Sequence, residues 1–434
     1  MIKTIHIILA FLRGYTRAKL GRFLSKHQIV KRQATLFMNL KKTVLCRSPF
    51  YQSWLLRDLK DYPIINKSIH TQHFNEINTA QLDRDKALEI AIKSEQSRDF
   101  SPTYKNYAVG LSSGTSGSRG LFVTSNKERA EWAGYMIGKM LPFKFKRQKV
   151  ALFLRANNRL YESSKGILLD FKFFDLIQPM KTLIAAVNQY SPDILIAPAQ
   201  VLQSLSQVES LTIQPSKIIS VAEVLEEPVK KQLEAAFKVK IDEIYQCTEG
   251  FLAATCSHGN LHLNEDVVYI EKDWLDSSSG RFAPIITDLR RSTQPVVRYR
   301  LDDILIIDEK PCQCGSSFTR IKSIEGRCDD ILLLKNANDE LISIYPDFIR
   351  NTLLMSHKQI ENYQVIQTAN DMLNIFLQPL NEEIQQAVVA HLTILWQHIA
   401  VIPPNYQFAD YQAPPLNEKL RRISRHCNEK KVFS

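Results

Sequence analysis

The sequence predicts an α/β fold with a large N-terminal domain and a small C-terminal α+β domain. Two observations support this prediction: from Tyr107 short apolar runs alternate with helical patterns, and a β-rich stretch follows Gly259. Alternating buried strands and helices are typical of a sheet with helices packed on its faces. A chain of 434 residues, 44% of them hydrophobic, is long enough to bury the cores of two domains.

The first hundred residues predict helices separated by short loops. Apolar residues recur at helical spacing in RFLSKHQIVKRQATLFMNLKKTVL, and Pro49 and Pro63 mark helix ends. Beyond Tyr107 the predicted strands are YAVGL, KVALFL, ILIA and KIISVA, and the predicted helices are KERAEWAGYMIGKML and EPVKKQLEAAF. Layered α/β sheets are therefore expected after the N-terminal helices.

The β-rich stretch contains LHLNEDVVYIE, FAPIITDL and PVVRYRLDDILII, each bounded by turn residues. The composition then changes at Ile324–Arg327. Beyond this point lie a hairpin-like segment, DDILLLKNANDELISIY, and a helical one, NEEIQQAVVAHLTILWQHI. We therefore predict a large domain over residues 1–325 and a small mobile domain over residues 326–434.

The positive charge is concentrated at one end of the chain. The net charge is +11, yet the segment from Met1 to Arg57 holds twelve Lys or Arg and no Asp or Glu. The remaining 44 basic residues are balanced by 45 acidic ones. No basic motif interleaved with aromatic residues is present, so we expect no nucleic-acid partner. The basic segment could contact an anionic membrane surface or an acidic partner, although a solvated helical face is the commoner case.

Two further features indicate the compartment. The apolar run Ile5–Leu12 is too short to span a bilayer, and no small-residue cleavage site follows it. Seven cysteines, an odd number, indicate reduced thiols rather than a disulfide framework. The expected location is the cytoplasm.

A loop rich in Ser and Gly follows the predicted strand YAVGL. Its sequence is SSGTSGSRG, from Ser112 to Gly120. Glycines allow the backbone to approach a phosphate closely, and hydroxyl groups add donors around it. The loop lacks the GK[ST] ending of a Walker motif. By itself, such a loop is also compatible with a plain surface connection.

This loop resembles the SSGTTG loop of the adenylate-forming superfamily, in the form used by phenylacetate-CoA ligases and deazaflavin-coenzyme adenylyltransferases. Those enzymes follow the loop with Lys-Pro or a similar pair, where this chain has Ser118 and Arg119. The resemblance implies that the loop binds the nucleotide through Ser112, Ser113, Gly114, Thr115, Ser116 and Gly117.

A second segment, VAEVLEEPVKKQLEAAFKVKIDEIYQCTEG, resembles the stretch that ends in the family's YGxTE motif. The match implies that Glu223 belongs to the nucleotide site, Tyr245 stacks on adenine, Thr248 contacts phosphate and Glu249 holds Mg²⁺. Magnesium suits this arrangement because it binds one or two carboxylates together with phosphate oxygens. Gln246 stands where the family usually has Gly. Taken alone, Glu249 could also be a solvated turn residue.

Two more segments match the family in the expected order. PVVRYRLDDIL resembles PVIRYRTxD, which implies that Asp303 binds the ribose hydroxyls, with Asp302 as the alternative register. EGRCDDILLLK resembles the GRxDD hinge, which implies that Arg327 contacts the ribose and Asp329 is the pivot between domains. The family commonly continues with a glycine-containing hairpin, where this chain has Lys335–Ala337.

The resemblance covers nearly the whole chain. NEKLRRISR resembles the GKxxRV element, which implies that Lys419 orients the carboxylate and the α-phosphate; Glu418 replaces the family's Gly. DYPIINKSIHTQHFNEINT resembles the family's N-terminal segment. The implied catalytic residues are thus Lys419, Thr248 and Glu249.

Cysteines and histidines cluster in two short segments, CSHGNLH and PCQCG. Two thiolates from a C-x-C turn, with a Cys and a His from another loop, can form a closed tetrahedral zinc site. The branch that the chain resembles often carries such residues at these places. The predicted structural Zn²⁺ ligands are Cys256, His262, Cys312 and Cys314, with His258 as the alternative to His262. Free thiols are the other interpretation.

The resemblance implies an enzyme that uses ATP and Mg²⁺ to activate a carboxylic acid, of the aryl or arylalkyl class, as its acyl-adenylate. The acyl group would then pass to CoA or another thiol acceptor, including a carrier protein. Two alternatives remain open: adenylylation of a hydroxyl group with AMP retained in the product, and a nucleotide-binding scaffold without turnover.

Overall fold

The computed structural model describes residues 2–112, 120–141, 147–155, 169–415 and 418–427. The chain divides into two compact units. The first comprises Met1–Leu301 and Ile306–Ser323, and the second comprises Asp302–Leu305 and Ile324–Ser434. Both units combine helices and sheets, which confirms the predicted α/β fold class. The roles predicted for the two domains, nucleotide binding and a mobile lid, stay predictions.

Helices dominate the first hundred residues, as predicted. They are α1 (Ile2–Gly21), α2 (Lys26–Thr43), α3 (Lys67–Gln72), α4 (Phe74–Ile77) and α5 (Arg84–Ser97), with short 3₁₀ helices at Leu45–Arg47, Pro49–Trp54 and Leu59–Asp61. The start of α2 is fixed by a capping box between Ser25 and Gln28. The start of α3 is fixed by Asn66, whose side chain accepts a hydrogen bond from the Ile69 amide.

Within the described ranges, no helix has both the length and the apolar character that crossing a membrane requires.

A small antiparallel sheet holds the two ends of the Ser/Gly loop. It consists of β1 (Thr103–Tyr104), β2 (Tyr107–Leu111) and β3 (Leu121–Thr124). The loop leaves the end of β2 and returns at the start of β3, which pair through Leu111 and Leu121. Helix α6 (Asn126–Met140) follows β3 directly. The run YAVGL therefore forms strand β2, as predicted.

The next elements alternate between strands and helices. They are β4 (Gln148–Leu154), β5 (Leu169–Asp175), α7 (Met180–Tyr190), β6 (Ile194–Ala197), α8 (Ala199–Ser206), β7 (Lys217–Ser220), α9 (Glu227–Phe237) and β8 (Ile241–Cys247). The strands are neighbours in the order β5-β4-β6-β7-β8, and all run parallel. All four residues of β6 are buried, as expected for a strand covered on both faces.

Antiparallel strands follow β8. They are β9 (Gly250–Thr255), β10 (Leu261–Leu263), β11 (Val268–Asp276), β12 (Arg281–Asp288), β13 (Tyr299–Arg300), β14 (Asp303–Asp308) and β15 (Arg320–Arg327). Strands β8 and β9 form a hairpin in which Cys247 faces Gly250. Thr248 and Glu249 are consequently the two residues at its tip. The chain passes from the first unit to the second after Leu301, returns within β14 and crosses again within β15.

The second unit has its own hydrophobic core. After a 3₁₀ turn at Cys328–Asp330, it contains β16 (Leu332–Lys335), β17 (Leu341–Ile344), α10 (Pro346–Ser356), β18 (Asn362–Ala369), β19 (Met372–Gln378), α11 (Glu382–His398), β20 (Asn405–Asp410) and β21 (Ile423–Arg425). Four strands form a sheet in the order β20-β19-β18-β21. Trp396 of α11 is fully buried in this core. The predicted hairpin of DDILLLKNANDELISIY is the pair β16–β17.

One partly buried carboxylate connects α6 to the loop that follows β12. Glu128 forms a capping box with Ser125 at the start of α6. Its Oε1 also accepts hydrogen bonds from the amides of Ser292 at 2.6 Å and Thr293 at 2.8 Å. Burial raises the pKa of Glu128, but the donors from Ser125 and Thr293 outweigh it and hold the pKa below its ordinary value. Glu128 is therefore an ionised group with well-satisfied oxygens.

The loop fixed by Glu128 also reaches β3. The side-chain oxygen of Gln294 accepts a hydrogen bond from the Val123 amide at 3.0 Å, and its nitrogen donates to the Leu121 carbonyl at 3.0 Å. Gln294 is fully buried. These bonds hold the loop after β12 beside the strand that follows the Ser/Gly loop.

We expect Glu128→Ala to destabilise the protein by roughly 3–5 kcal/mol, because it leaves several partly buried donors without an acceptor. Glu128→Gln should cost less, since it keeps one oxygen. Thermal unfolding followed by circular dichroism measures both effects. The control is Glu89→Ala, which removes an exposed carboxylate paired with Lys93 and should leave the melting temperature close to that of the original protein. Equal melting temperatures for Glu128→Ala and the control would contradict the role assigned to Glu128.

Candidate active site

The base of the Ser/Gly loop is closed by two hydrogen bonds. The Ser112 amide donates to the Gly120 carbonyl at 2.7 Å, and the Gly120 amide donates to Ser112 Oγ at 2.8 Å. The side chain of Lys67 approaches this base, with its Cε 3.5 Å from the position that a Cβ on Gly120 would take. The loop base thus carries a nearby cation. The other predicted loop residues, Ser113, Gly114, Thr115, Ser116 and Gly117, lie outside the described residues.

The tip of the β8–β9 hairpin holds a hydroxyl and a carboxylate side by side. Thr248 Oγ1 donates a hydrogen bond to Glu249 Oε2 at 2.9 Å. Tyr245 precedes the tip on β8 and is buried. The pairing register shifts between Tyr245 and Gln246, where the family usually has Gly. Such an irregularity changes the direction of the following residues, so the departure from the motif coincides with a local change in the backbone.

The loop base and the hairpin tip line the same pocket. The pocket also receives a basic and an imidazole side chain from α3 and a guanidinium from the loop after β12. Its polar lining includes Lys67, His70, Gly120, Thr248, Glu249 and Arg291. Arg291 donates a hydrogen bond to the Thr248 carbonyl and so fixes the hairpin tip from behind. Two motifs that are more than a hundred residues apart in sequence therefore meet around one space.

His70 is a buried member of this pocket. Its Nδ1 lies 3.5 Å from the Gln294 side-chain nitrogen, and its ring packs edge-on against Tyr299. Burial and the neighbouring Arg291 lower the pKa of His70 to about 4, while Glu249 and the Pro295 carbonyl act in the opposite direction. The imidazole is therefore neutral at physiological pH.

The sequence motifs did not single out Lys67, His70, Arg291 or Gln294. Lys67 and His70 belong to the N-terminal segment that resembles the family. That resemblance did not assign a role to either residue. Arg291 and Gln294 belong to the polar run RRSTQ between two strand patterns. Their placement depends on contacts with α3, β3 and the hairpin, which local sequence does not reveal.

Glu223 lies just after β7 and is engaged by other residues of the first unit. Its Oε1 pairs with the guanidinium of Arg155, and its Oε2 accepts a hydrogen bond from the Gln200 amide at 3.1 Å. The side chain is only 2% exposed. This pairing fixes the end of β7 against the first turn of α8.

The second unit contains the remaining predicted residues of the nucleotide site. Arg327 Nη2 lies 3.1 Å from Asp302 Oδ2. Burial lowers the pKa of Arg327, but four carboxylates raise it above its ordinary value: those of Asp303, Asp302, Asp329 and Asp330. Arg327 and both candidates for the ribose-binding carboxylate therefore belong to one cluster.

The predicted hinge residue lies in the short turn that follows Arg327. Asp329 is the middle residue of the 3₁₀ turn Cys328–Asp330. Asp330 is buried, accepts a hydrogen bond from the Arg327 amide at 3.2 Å and pairs with Arg421. Lys419 lies two residues before Arg421, in the segment that leads into β21. The segments that carry the predicted hinge and the predicted lysine are thus joined by an ion pair.

A Cys/His cluster lies at the other end of β9. The ligand atoms of Cys256, His262, Cys312 and Cys314 all lie within 4.8 Å of one another. Cys256 Sγ is 3.7 Å from Cys312 Sγ, and His262 Nε2 is 3.6 Å from Cys314 Sγ. The four predicted ligands are therefore brought together, with His262 rather than His258 as the histidine.

The surroundings of the cluster orient its members. His262 lies on β10, buried, and its Nδ1 is 3.0 Å from the Phe318 carbonyl, which directs Nε2 toward the sulfurs. Gly315 has a φ of 72°, and its amide donates to the Cys312 carbonyl at 3.1 Å, which closes the turn. Burial and the Cys312 and Cys256 sulfurs raise the pKa of Cys314 to about 11. A bound cation would stabilise the thiolate forms of sulfurs that lie this close together.

The comparison by sequence gives one relevant relative. No protein-family model matches the chain. Phenylacetate-coenzyme A ligase of Thermus thermophilus is 22% identical over 201 residues, 42% of this chain and 44% of the ligase. The chain thus covers less than half the length of this curated relative.

The comparison by structure extends over nearly the whole chain. 2-Hydroxyisobutyryl-CoA ligase in complex with 2-HIB-AMP matches with a TM-score of 0.67 and 15% identity, covering 95% of this chain and 92% of the ligase. The same ligase has been solved with 2-HIB-AMP and CoA. Anthranilate CoA ligase in complex with anthranoyl-AMP matches with a TM-score of 0.52 and 14% identity, covering 73% and 66% of the two chains.

The fold of this chain is that of the adenylate-forming CoA ligases. Within that class, the resemblance to the phenylacetate-CoA ligase branch, which the sequence motifs predict, is confirmed.

The low pKa of His70 makes stability depend on pH. The unfolded chain binds a proton at this histidine near pH 6.5, whereas the folded protein does so only near pH 4. The stability that neutral His70 provides is therefore complete above pH 6.5 and falls as the pH drops toward 4. Between pH 7 and pH 5, we expect a loss of about 2 kcal/mol from this group.

His70→Gln should remove this part of the pH dependence, and melting temperatures at pH 7 and pH 5 measure it. Exposed His398 offers a matched control, since His398→Gln should lose as much stability as the original protein on acidification. The prediction is wrong if His70→Gln and His398→Gln respond to pH in the same way.

Proposed function

We propose that this protein uses ATP to activate a carboxylic acid as its acyl-adenylate and passes the acyl group to CoA or another thiol. One observation carries the proposal: the base of the Ser/Gly loop and the tip of the Thr248–Glu249 hairpin line one pocket. In the resembling family, these two motifs bind the phosphates of the nucleotide. The fold similarity to ligases solved with acyl-AMP supports the same reading.

In the first step, a carboxylate oxygen of the acid attacks the α-phosphorus of ATP. The bond from that phosphorus to the bridging oxygen breaks, and pyrophosphate leaves. The protein contributes mainly position and charge to this reaction. Lys67 and Arg291 place positive charge at the pocket. The family resemblance implies that the Ser/Gly loop adds hydrogen-bond donors for the phosphates.

Magnesium fits the chemistry of the hairpin tip. Glu249 is partly exposed on the pocket wall, and only a neighbouring hydroxyl is seen to hydrogen-bond its carboxylate among the described contacts. A hard cation takes such an oxygen together with phosphate oxygens and water, and it would offset the negative charge on the phosphates. We assign Glu249 as the Mg²⁺ ligand and Thr248 as a phosphate contact.

The second unit would supply the remaining groups. The proposed roles are ribose binding by Asp303 and Arg327, orientation of the carboxylate and α-phosphate by Lys419, and a hinge at Asp329. Tyr245 and Glu223 would contribute to the adenine side of the site. In the second step, the sulfur of the thiol attacks the acyl carbon and AMP leaves, after a change of domain arrangement about the hinge.

The names of the relatives guide the choice of acid and acceptor. Their names specify an arylalkyl acid, a small hydroxy acid and an aryl acid, each joined to CoA. We propose an aryl or arylalkyl acid as the substrate and CoA as the first acceptor to test. A carrier-protein thiol is the second.

Pyrophosphate release with a panel of acids tests the proposal. With ATP and Mg²⁺, one class of acid should stimulate release, and Glu249→Ala should lower the rate by at least about hundredfold because the phosphate charge is no longer offset. Glu89→Ala, an exposed change remote from the motifs, is the matched control. Mass spectrometry of the products should show the acyl thioester and free AMP.

Two outcomes would contradict the proposed function. Product that retains AMP on a hydroxyl acceptor would identify adenylylation as the reaction. ATP binding with the same negligible turnover in the original protein and in Glu249→Ala would identify a scaffold.

We also propose that Cys256, His262, Cys312 and Cys314 hold a structural Zn²⁺. Three sulfurs and one imidazole nitrogen match the donors that zinc prefers, and four protein ligands leave no position for a reacting water. The hydrogen bond from His262 to the Phe318 carbonyl supports this assignment, because zinc-bound histidines commonly have such a partner. The ion would fix β10 to the turn before β15.

Elemental analysis of the purified protein should give about one zinc per chain. Cys312→Ser should lower both the zinc content and the melting temperature, since the sulfurs lose their shared cation. Exposed Cys46 provides the control: Cys46→Ser should change neither quantity. Full zinc content in Cys312→Ser would refute the ligand set.

A further inference from the structure

Helix α1 exposes an apolar stripe along one face. Ile5, Ile8, Leu9 and Leu12 are spaced three and four residues apart, so they share a face of the helix. Their exposed fractions are 48%, 53%, 56% and 48%. Leu20, at the continuation of this face, is 63% exposed. An exposed row of large aliphatic side chains on a surface helix indicates a binding surface for another molecule or a membrane.

The opposite face of α1 is already buried against α6. Ala10, Gly14 and Ala18 are buried on this face. A Cβ added to Gly14 would lie 2.0 Å from the Glu131 carbonyl oxygen, and one added to Gly134 would lie 2.0 Å from the Phe11 carbonyl oxygen. The two backbones are therefore in close contact. The helix cannot turn its aliphatic stripe inward without losing this packing.

The segment of the chain that carries the stripe has charges of a single sign. No Asp or Glu occurs from Met1 to Arg57, whereas twelve Lys or Arg do. Arg13 and Arg22 are exposed on α1 and just after it, and Lys31 is exposed on α2. The guanidinium of Arg22 lies 4.5 Å from the ring centre of Phe23, which is itself 69% exposed. A cation over an exposed aromatic ring suits the boundary between lipid head groups and acyl chains.

We propose that α1 lies on an anionic membrane surface, with the aliphatic stripe inserted among the lipids and the basic residues against the head groups. A helix of 20 residues lying flat presents about 30 Å of length, enough to engage the surface along its stripe. Complementary charge favours a lipid surface over a second copy of this chain, because a second copy would bring the same positive charge. This inference does not depend on the reaction at the pocket.

The test is co-sedimentation of the full chain with vesicles of two compositions. Vesicles of phosphatidylcholine with about 30 mol% phosphatidylserine should bind the protein, and pure phosphatidylcholine should bind it much less. Binding should weaken at about 0.5 M NaCl because salt screens the charges. The double variant Ile8→Glu with Leu12→Glu should bind at least about tenfold more weakly, since it places negative charge in the stripe.

A matched control changes exposed aliphatic side chains elsewhere. Ile394 and Met355 of the second unit are 64% and 78% exposed, and the double change Ile394→Glu with Met355→Glu should leave vesicle binding unaltered. Melting temperatures of both variants establish that they are folded, and ATP binding provides an independent check on the pocket.

Three results would overturn the proposal. The first is the absence of binding to the anionic vesicles. The second is an equal loss of binding in the stripe variant and in the control variant. The third is sedimentation equilibrium showing that the stripe holds two chains together, with vesicle binding unaffected by the stripe variant.

Discussion

The arrangement of the pocket depends on the partly buried carboxylate of Glu128. Its two oxygens bind the start of α6 and the amides of Ser292 and Thr293, which places Arg291 and Gln294 within reach of the hairpin tip and of β3. A charged group can be held in this partly buried position because each carboxylate oxygen has donors. The same loop therefore supports the pocket from both sides: Gln294 holds the strand after the Ser/Gly loop, and Arg291 holds the hairpin.

Local patterns were sufficient to predict most elements of the fold. The run EPVKKQLEAAF is helix α9 over its full length, and ILIA is a fully buried strand. These segments carry strong periodicity or continuous apolar character, and their structure depends little on distant residues. The motif order predicted the class of fold, and the two Cys/His segments predicted the cluster, with His258 as the alternative to His262.

Contacts between distant segments could not be predicted in this way. The capping pair of Ser125 and Glu128 is readable from sequence, but the second role of Glu128 joins residues about 165 positions apart. His70 becomes part of the pocket only because α3 packs beside β3 and the loop after β12. The choice between His258 and His262 was likewise open in sequence, and strand β10 decides it by directing His262 toward the sulfurs.

The glycines of the α1–α6 contact have a mechanical consequence. Gly14, Gly134 and Gly138 let the two helices touch backbone to backbone. This close packing holds α1 in a fixed position on the first unit. A helix that is already ordered loses little conformational entropy when it binds another surface. The orientation of α1 relative to the pocket is also fixed, because α6 begins at Ser125 and Glu128, the pair that anchors the pocket. If the first unit binds a surface through α1, its pocket would keep a constant angle to that surface.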